Sequence, residues 1–108
     1  MAVFVDDMFK YPIGEFQRNG RTYKMSHLIA SNTEELLAFA TSLGLDTRWL
    51  QHPSTWKEHF DVTITVRKKA IAAGAIPCTM SQMGRLCRVR RQTGRLPDKL
   101  EELECPDR

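Results

Sequence analysis

The run Ala2-Val3-Phe4-Val5 is apolar at every position and closes on the acid pair Asp6-Asp7. A strand with one wet face alternates apolar and polar residues, whereas a strand covered on both faces does not. The absence of alternation therefore predicts a strand buried on both sides, and such a strand needs a layer of helices above and below it. A chain of 108 residues can supply those layers around one core, with no room for a second.

The rest of the sequence carries the expected covering elements. Asn19-Gly20 separates Glu15–Arg18 from Arg21–Met25 and is the pair favoured in a two-residue hairpin turn of type I′. Ser31 with Glu34, or Asn32 with Glu35, fits a capping box ahead of Leu36, Leu37, Ala40 and Leu43 at helical spacing, and Gly44 supplies the stop. Phe9–Gly14 reads as a loop, and Arg48-Trp49-Leu50 as a short strand. The run Phe60–Val66 alternates like a strand but leads into Arg67–Ala73 and Gly74, so a helix beginning near Thr63 is expected. Ala75–Thr79 reads as a strand. Ser81 is read as the N-cap of a helix with Met83, Leu86 and Cys87 on one side, and Pro97–Leu103 as a short acidic helix.

Strands interleaved with helices at this length predict a single α+β (or small α/β) domain, with a short mixed or mainly parallel sheet packed by three to four helices. Residues 1–75 form its body. Residues 76–108 form a basic helix and acidic extension packed on the same domain. In such sheets sites gather beyond the carboxyl ends of strands, where Asp6 and Asp7 stand.

Several function classes are set aside by composition. Apolar residues at 42% and charged residues at 27% describe a globular chain rather than a disordered one. No apolar run is long enough to cross a bilayer. The opening MAVFVDDMF has no basic segment before its apolar stretch, so it is not read as a signal peptide, and the cytoplasm is the expected compartment. The three cysteines, Cys78, Cys87 and Cys105, form no Cys-x-x-Cys pair and are read as free thiols.

The chemistry is carried by scattered residues. Asp6 or Asp7, His27 in Met25-Ser26-His27-Leu28, His59 and Asp61 could converge. Imidazole titrates near neutral pH, and a nearby carboxylate fixes its tautomer and raises its basicity. In an extended segment His59 and Asp61 project to one side, whereas in a helix they diverge. Two histidines with one or two aspartates also suit a divalent metal such as zinc, manganese or iron. On this reading His27, His59 and Asp61 are catalytic, and Asp6, Asp7 and His27 hold the metal. The competing readings are a hydrogen-bonded core histidine for His27, a helix N-cap for Asp61 and a solvated Asp7.

The order VDD, SHL, EELLAFA, LG, EHFDV and RKKAIAAGA resembles a small bacterial and phage family known as domain of unknown function 4031, over about Ala2 to Ala75. Ser26-His27-Leu28 and Glu58-His59-Phe60-Asp61-Val62 are its most specific parts. The resemblance implies a site at Asp6, His27, His59 and Asp61, and it implies no reaction. Two features depart from the pattern, the longer stretch Gln51–Lys57 and the arginine-rich extension after Ala75.

Between Val62 and Pro97 there are eight basic residues and no acid, within a chain whose net charge is +3. Arg67, Arg85, Arg88 and Arg91 are candidates for binding phosphate or nucleic acid, and Arg90 and Arg95 belong to the same stretch. The competing reading pairs Arg85–Arg95 with Glu101, Glu102 and Glu104. Two functions follow. One is a hydrolase or phosphodiesterase acting on a nucleotide or nucleic acid. The other is a non-catalytic module that binds nucleic acid, a ligand or a host protein. A homo-oligomer with histidines at its interface is a third, and no membrane partner is expected.

Overall fold

The computed structural model of the chain describes residues 2–103. Glu104 and Cys105 lie outside the described residues. The sheet has five strands: β1 (Val3–Val5), β2 (Glu15–Arg18), β3 (Arg21–Ala30), β4 (Phe60–Thr63) and β5 (Ile76–Pro77). The helices are α1 (Thr33–Ser42), α2 (Ile64–Ala72), α3 (Met80–Thr93) and the one-turn α4 (Leu100–Leu103). The architecture is α+β with a mixed sheet. The pair β1–β5 is parallel, while β1–β3, β2–β3 and β3–β4 are antiparallel.

β3 is the strand on which the sheet is organised. Its first residues pair with β2 across a turn in which Asn19 and Gly20 both have positive φ, 52° and 77°, as a type I′ turn requires. Its later residues pair with β4 through Met25–Leu28 and with β1 through Leu28–Ala30, and Leu28 faces a partner on each edge. The two sheet faces follow from the period of two. Val3, Val5, Leu28, Ala30, Phe60 and Val62 point to one face and pack with Leu36 and Ala40 of α1 and Ala70 of α2. Ala2, Phe4 and Ile29 point to the other and pack with Cys78, with Met83 and Leu86 of α3, and with Leu96. The helical layers expected around β1 are therefore present, and α3 is one of them.

Local signals resolve the ambiguous segments. Asn32 caps α1, accepting the Glu35 N–H at 2.8 Å. The run at residues 60–66 is both of the things it resembled: a strand to Thr63, whose hydroxyl then caps α2 by accepting the Val66 N–H. The cap of α3 is Thr79 rather than Ser81, in a reciprocal box with Gln82. Arg48-Trp49-Leu50 is not a strand. Asp46 accepts the Arg48 N–H and starts a single 3-10 turn over Thr47–Trp49. The segment from Met8 to Gly14 forms two further 3-10 turns, and β5 is shorter than Ala75–Thr79. Among the described residues no helix is long and apolar enough to cross a membrane.

Candidate metal centre

The site lies on the face that α3 covers. β3 and β4 pair so that His27 stands directly opposite Asp61, and Asp6 follows β1 on the far edge of β3 with its N–H donating to the His27 carbonyl at 3.1 Å. His59 precedes β4 by one residue and shares a face with Asp61, held there by paired backbone bonds to Gln51 of 2.9 and 3.1 Å. Thus three adjacent stretches of chain deliver Asp6, His27, His59 and Asp61 to one place.

His27, His59 and Asp61 each offer one ligand atom, and these atoms lie within 4.8 Å of one another. The ligand atoms of a tetrahedral site at 2.0–2.1 Å from the ion are separated by about 3.4 Å, so closure on an ion asks each side chain to move by roughly 1 Å or less. The hydrogen bonding decides which ring nitrogens are available. His59 Nδ1 lies 2.7 Å from the Lys57 carbonyl, which can only accept, so Nδ1 carries a proton. His27 Nδ1 lies 2.7 Å from Asp6 Oδ2, and the carboxylate imposes the same tautomer. Each ring is left with Nε2 as its free nitrogen, and that of His59 lies 3.5 Å from Asp61 Oδ1; fixing one ring nitrogen so that the other is free is the way protein metal centres orient their histidines.

The electrostatics of the cluster centre on Asp61. His59 Nε2 is 3.5 Å from Asp61 Oδ1, and Gln51 Nε2 donates to Asp61 Oδ2 at 2.5 Å. Burial works to lower the His59 pKa, but the hydrogen bond to Asp61, the Lys57 carbonyl and the charge of Asp61 together hold it above its ordinary value. Burial works to raise the Asp61 pKa, but His59 and Gln51 hold it below the usual carboxylate range. Two acceptors would otherwise face each other here, and a proton or a metal ion between them resolves the conflict.

Asp6 and Asp7, read from the sequence as metal ligands, are outside this group of three. Asp6 is fully buried, and its carboxylate is already occupied: Oδ1 accepts the N–H groups of Met8 and His27, both at 3.0 Å, and Oδ2 takes His27 Nδ1. It orients His27 from behind. Asp7 turns to α3, accepting the Met80 N–H at 2.9 Å in the helix's first turn, with Lys10 at 3.9 Å. Asp61 is not a helix cap, because Thr63 has that place.

The basic stretch divides. Arg67 reaches the site's rear: Nε donates to the Asp6 carbonyl at 2.8 Å and its guanidinium lies over the Phe9 ring. Arg91 stacks on Trp56. Arg88 is exposed, while Arg85 engages a partner within the described residues. Arg90 is no phosphate ligand. It is buried, and its guanidinium donates to the carbonyls of Ala30, Trp56 and Glu58 at 2.7–3.0 Å, tying α3 to the end of β3 and to the segment before β4. Its position seven residues after Met83 and four after Leu86 already placed it on the buried face of α3. Cys78 is a small core residue, its thiol pushed up to about 12 by burial with help from Asp6 and Asp7.

Two residues at the site were not expected. Gln51 orients Asp61, and His52 brings the third of the chain's three histidines to within 5.9 Å, ring centre to ring centre, of His59. His27 and His59 are 5.0 Å apart by the same measure. All the imidazoles of the protein therefore gather at one spot. The sequence signal for His52 was the longer stretch before His59, which the loop uses to fold back with positive φ at His52 and Ser54.

No curated protein and no solved structure matches the chain. A family model, described as a protein of unknown function (DUF4031), matches residues 3–90, which takes in α3 as far as Arg90 and extends past the Ala2–Ala75 body marked out in the sequence. The chain belongs to that family.

Proposed function

We propose that the protein is a divalent-metal-dependent hydrolase of phosphate esters, with His27 Nε2, His59 Nε2 and the Asp61 carboxylate as the metal ligands. The observation that carries this reading is the pair of held Nδ1 atoms: an Asp6 carboxylate and a Lys57 carbonyl each take the Nδ1 of one histidine and leave its Nε2 free, on two residues that lie with Asp61 in one ligand-sized cluster. Core histidines need satisfied nitrogens, and here only one nitrogen of each is bonded to a main-chain or carboxylate acceptor behind it. Three protein ligands leave coordination positions open, which is the form of a reactive rather than a structural site.

A divalent ion held there would polarise a phosphoryl oxygen and lower the pKa of water. The protein's own contributions are then definable. Asp6 and the Lys57 carbonyl hold the ligand tautomers, Gln51 holds Asp61, and the exposed His52 stands beside His59 as a proton donor for the departing oxygen. Water adds to phosphorus and loses its proton to solvent, the bond from phosphorus to the leaving oxygen breaks, and that oxygen takes a proton from His52. Arg67 adds positive charge behind Asp6.

The test is a cobalt(II) titration followed by visible absorption, paired with hydrolysis of bis-p-nitrophenyl phosphate. One cobalt per chain and metal-dependent hydrolysis are expected, both abolished in His27→Ala and Asp61→Ala. A folded protein that takes up no cobalt, zinc or manganese ends the proposal.

A further inference from the structure

Beside Asp61 the protein has a cavity of about 620 Å³ with a lining that the metal chemistry does not explain. One wall is Phe16 and Tyr23, register partners across the β2–β3 hairpin and so side by side. Trp49, from the 3-10 turn that follows α1, also lines it. Three of the nine aromatic residues of the chain thus meet in one cavity. Phe16 and Trp49 are 44% and 60% exposed, a cost that large apolar side chains bear where a partner covers them. Gln51 and Asp61 belong both to this cavity and to the metal centre, so the two spaces share a boundary. Arg18, at the mouth of the hairpin, is the one cation of the lining and has no ion pair among the described residues.

We infer that this cavity binds the base of a mononucleotide, with the ring against Phe16, Tyr23 and Trp49, Arg18 meeting an anionic oxygen, and the phosphate ester directed past Gln51 to the metal centre. The inference rests on the metal-dependent reading and names the substrate class for it. Its physical basis is threefold. The volume falls within the range of small-molecule sites, about 300–1,000 Å³. Aromatic faces give sequence-tolerant stacking to any base. A single guanidinium beside an aromatic wall matches a ligand that joins a flat ring to an anion, whereas a lipid or apolar peptide would leave Arg18 without a role.

The experiment follows Trp49 fluorescence in the Trp56→Phe protein, where Trp49 is the sole tryptophan. Titration with adenosine monophosphate is expected to quench it saturably, adenosine more weakly, and inorganic phosphate not at all. Phe16→Ala is expected to weaken adenosine monophosphate binding by about 5- to 150-fold, the range for loss of one base–aromatic contact. Arg18→Gln is expected to weaken the nucleotide but not adenosine. Cobalt uptake should be unchanged in both variants. No saturable quenching at millimolar nucleotide, or quenching by an oligonucleotide or an apolar dye but not by the mononucleotide, overturns the assignment. Because cobalt uptake is read separately, that failure is distinct from failure of the metal centre, which His27→Ala and Asp61→Ala report.

Discussion

Replacing Asp6 by Asn changes one atom at the most informative point in the site. Asp6 is fully buried; its Oδ1 accepts two backbone N–H groups, and its Oδ2 accepts from His27 Nδ1 at 2.7 Å. An asparagine that keeps its oxygen on the two backbone donors turns its NH2 group toward His27 Nδ1. That nitrogen must then accept, the proton moves to Nε2, and the ligand lone pair disappears. Loss of such an orienting partner costs about 10–100-fold in metal affinity, or about 1.4–2.7 kcal/mol. Stability should fall more gently. Two bonds to a charged acceptor become neutral ones, a loss of about 1–3 kcal/mol in total, partly offset because a buried charge is removed. Asp6→Ala, by contrast, strands two buried N–H groups and should cost about 2–6 kcal/mol. Cobalt titration and urea denaturation measure the two effects on the same samples, and the double variant with His27→Ala isolates the coupling. If Asp6→Asn is folded and binds cobalt as tightly as the parent chain, the tautomer argument is wrong.

Further predictions concern stability. Arg90→Met removes the donors for three main-chain carbonyls and should destabilise by at least about 3 kcal/mol by urea denaturation, at roughly 1–3 kcal/mol for each buried acceptor left unpaired. A variant as stable as the parent would return Arg90 to the surface charges. The His59–Asp61 pair should make the metal-free protein pH-sensitive. With the Asp61 pKa held below its ordinary 3.8 and that of His59 above its ordinary 6.5, the pair's stabilisation is largest between those ordinary values. It is lost as pH falls through the lowered Asp61 value, and lost as pH rises through the raised His59 value. His59→Gln should flatten the neutral-side slope in thermal melts, and an unchanged slope would remove the pair from the account. Gly14→Ala should unfold or severely weaken the chain, because a Cβ there would sit 2.2 Å from the Met8 carbonyl oxygen, a backbone atom with little freedom to retreat. Circular dichroism and urea denaturation that match the parent would show that the two 3-10 turns can separate at little cost.

The parts of the fold that were readable from the sequence are those set by local chemistry. The unbroken apolar run before Asp6 implied cover on both faces, Asn19-Gly20 implied its turn, and Ser31-Asn32 implied a cap, which Asn32 supplies, because each depends on residues within a few positions. What was not readable is what long-range pairing decides. The sheet is mostly antiparallel because β3 is long enough to serve three partners, a property of register rather than of any short window. Among the candidate site residues, His27, His59 and Asp61 share a face because the segment before the helix start expected near Thr63 is extended and pairs with β3, which no short window of sequence shows. Asp6 and Asp7 are adjacent in sequence yet point to opposite tasks, one behind His27 and one at the start of α3, and nothing local distinguishes them. Arg90 was legible by its spacing and was obscured by the charge of its neighbours.

The central position of β3 ties the site to the folding reaction itself. Asp6 lies against one edge of that strand and Asp61 against the other, with His27 between them. A slip of one residue in either pairing would send one member of the site through the sheet to the opposite face. If the proposed metal centre is correct, metal uptake would therefore be an assay of strand alignment. A refolded sample could recover its helix signal and its compactness with β1 or β4 misregistered, but under the proposed function it would recover cobalt binding only when both edges of β3 have found their partners.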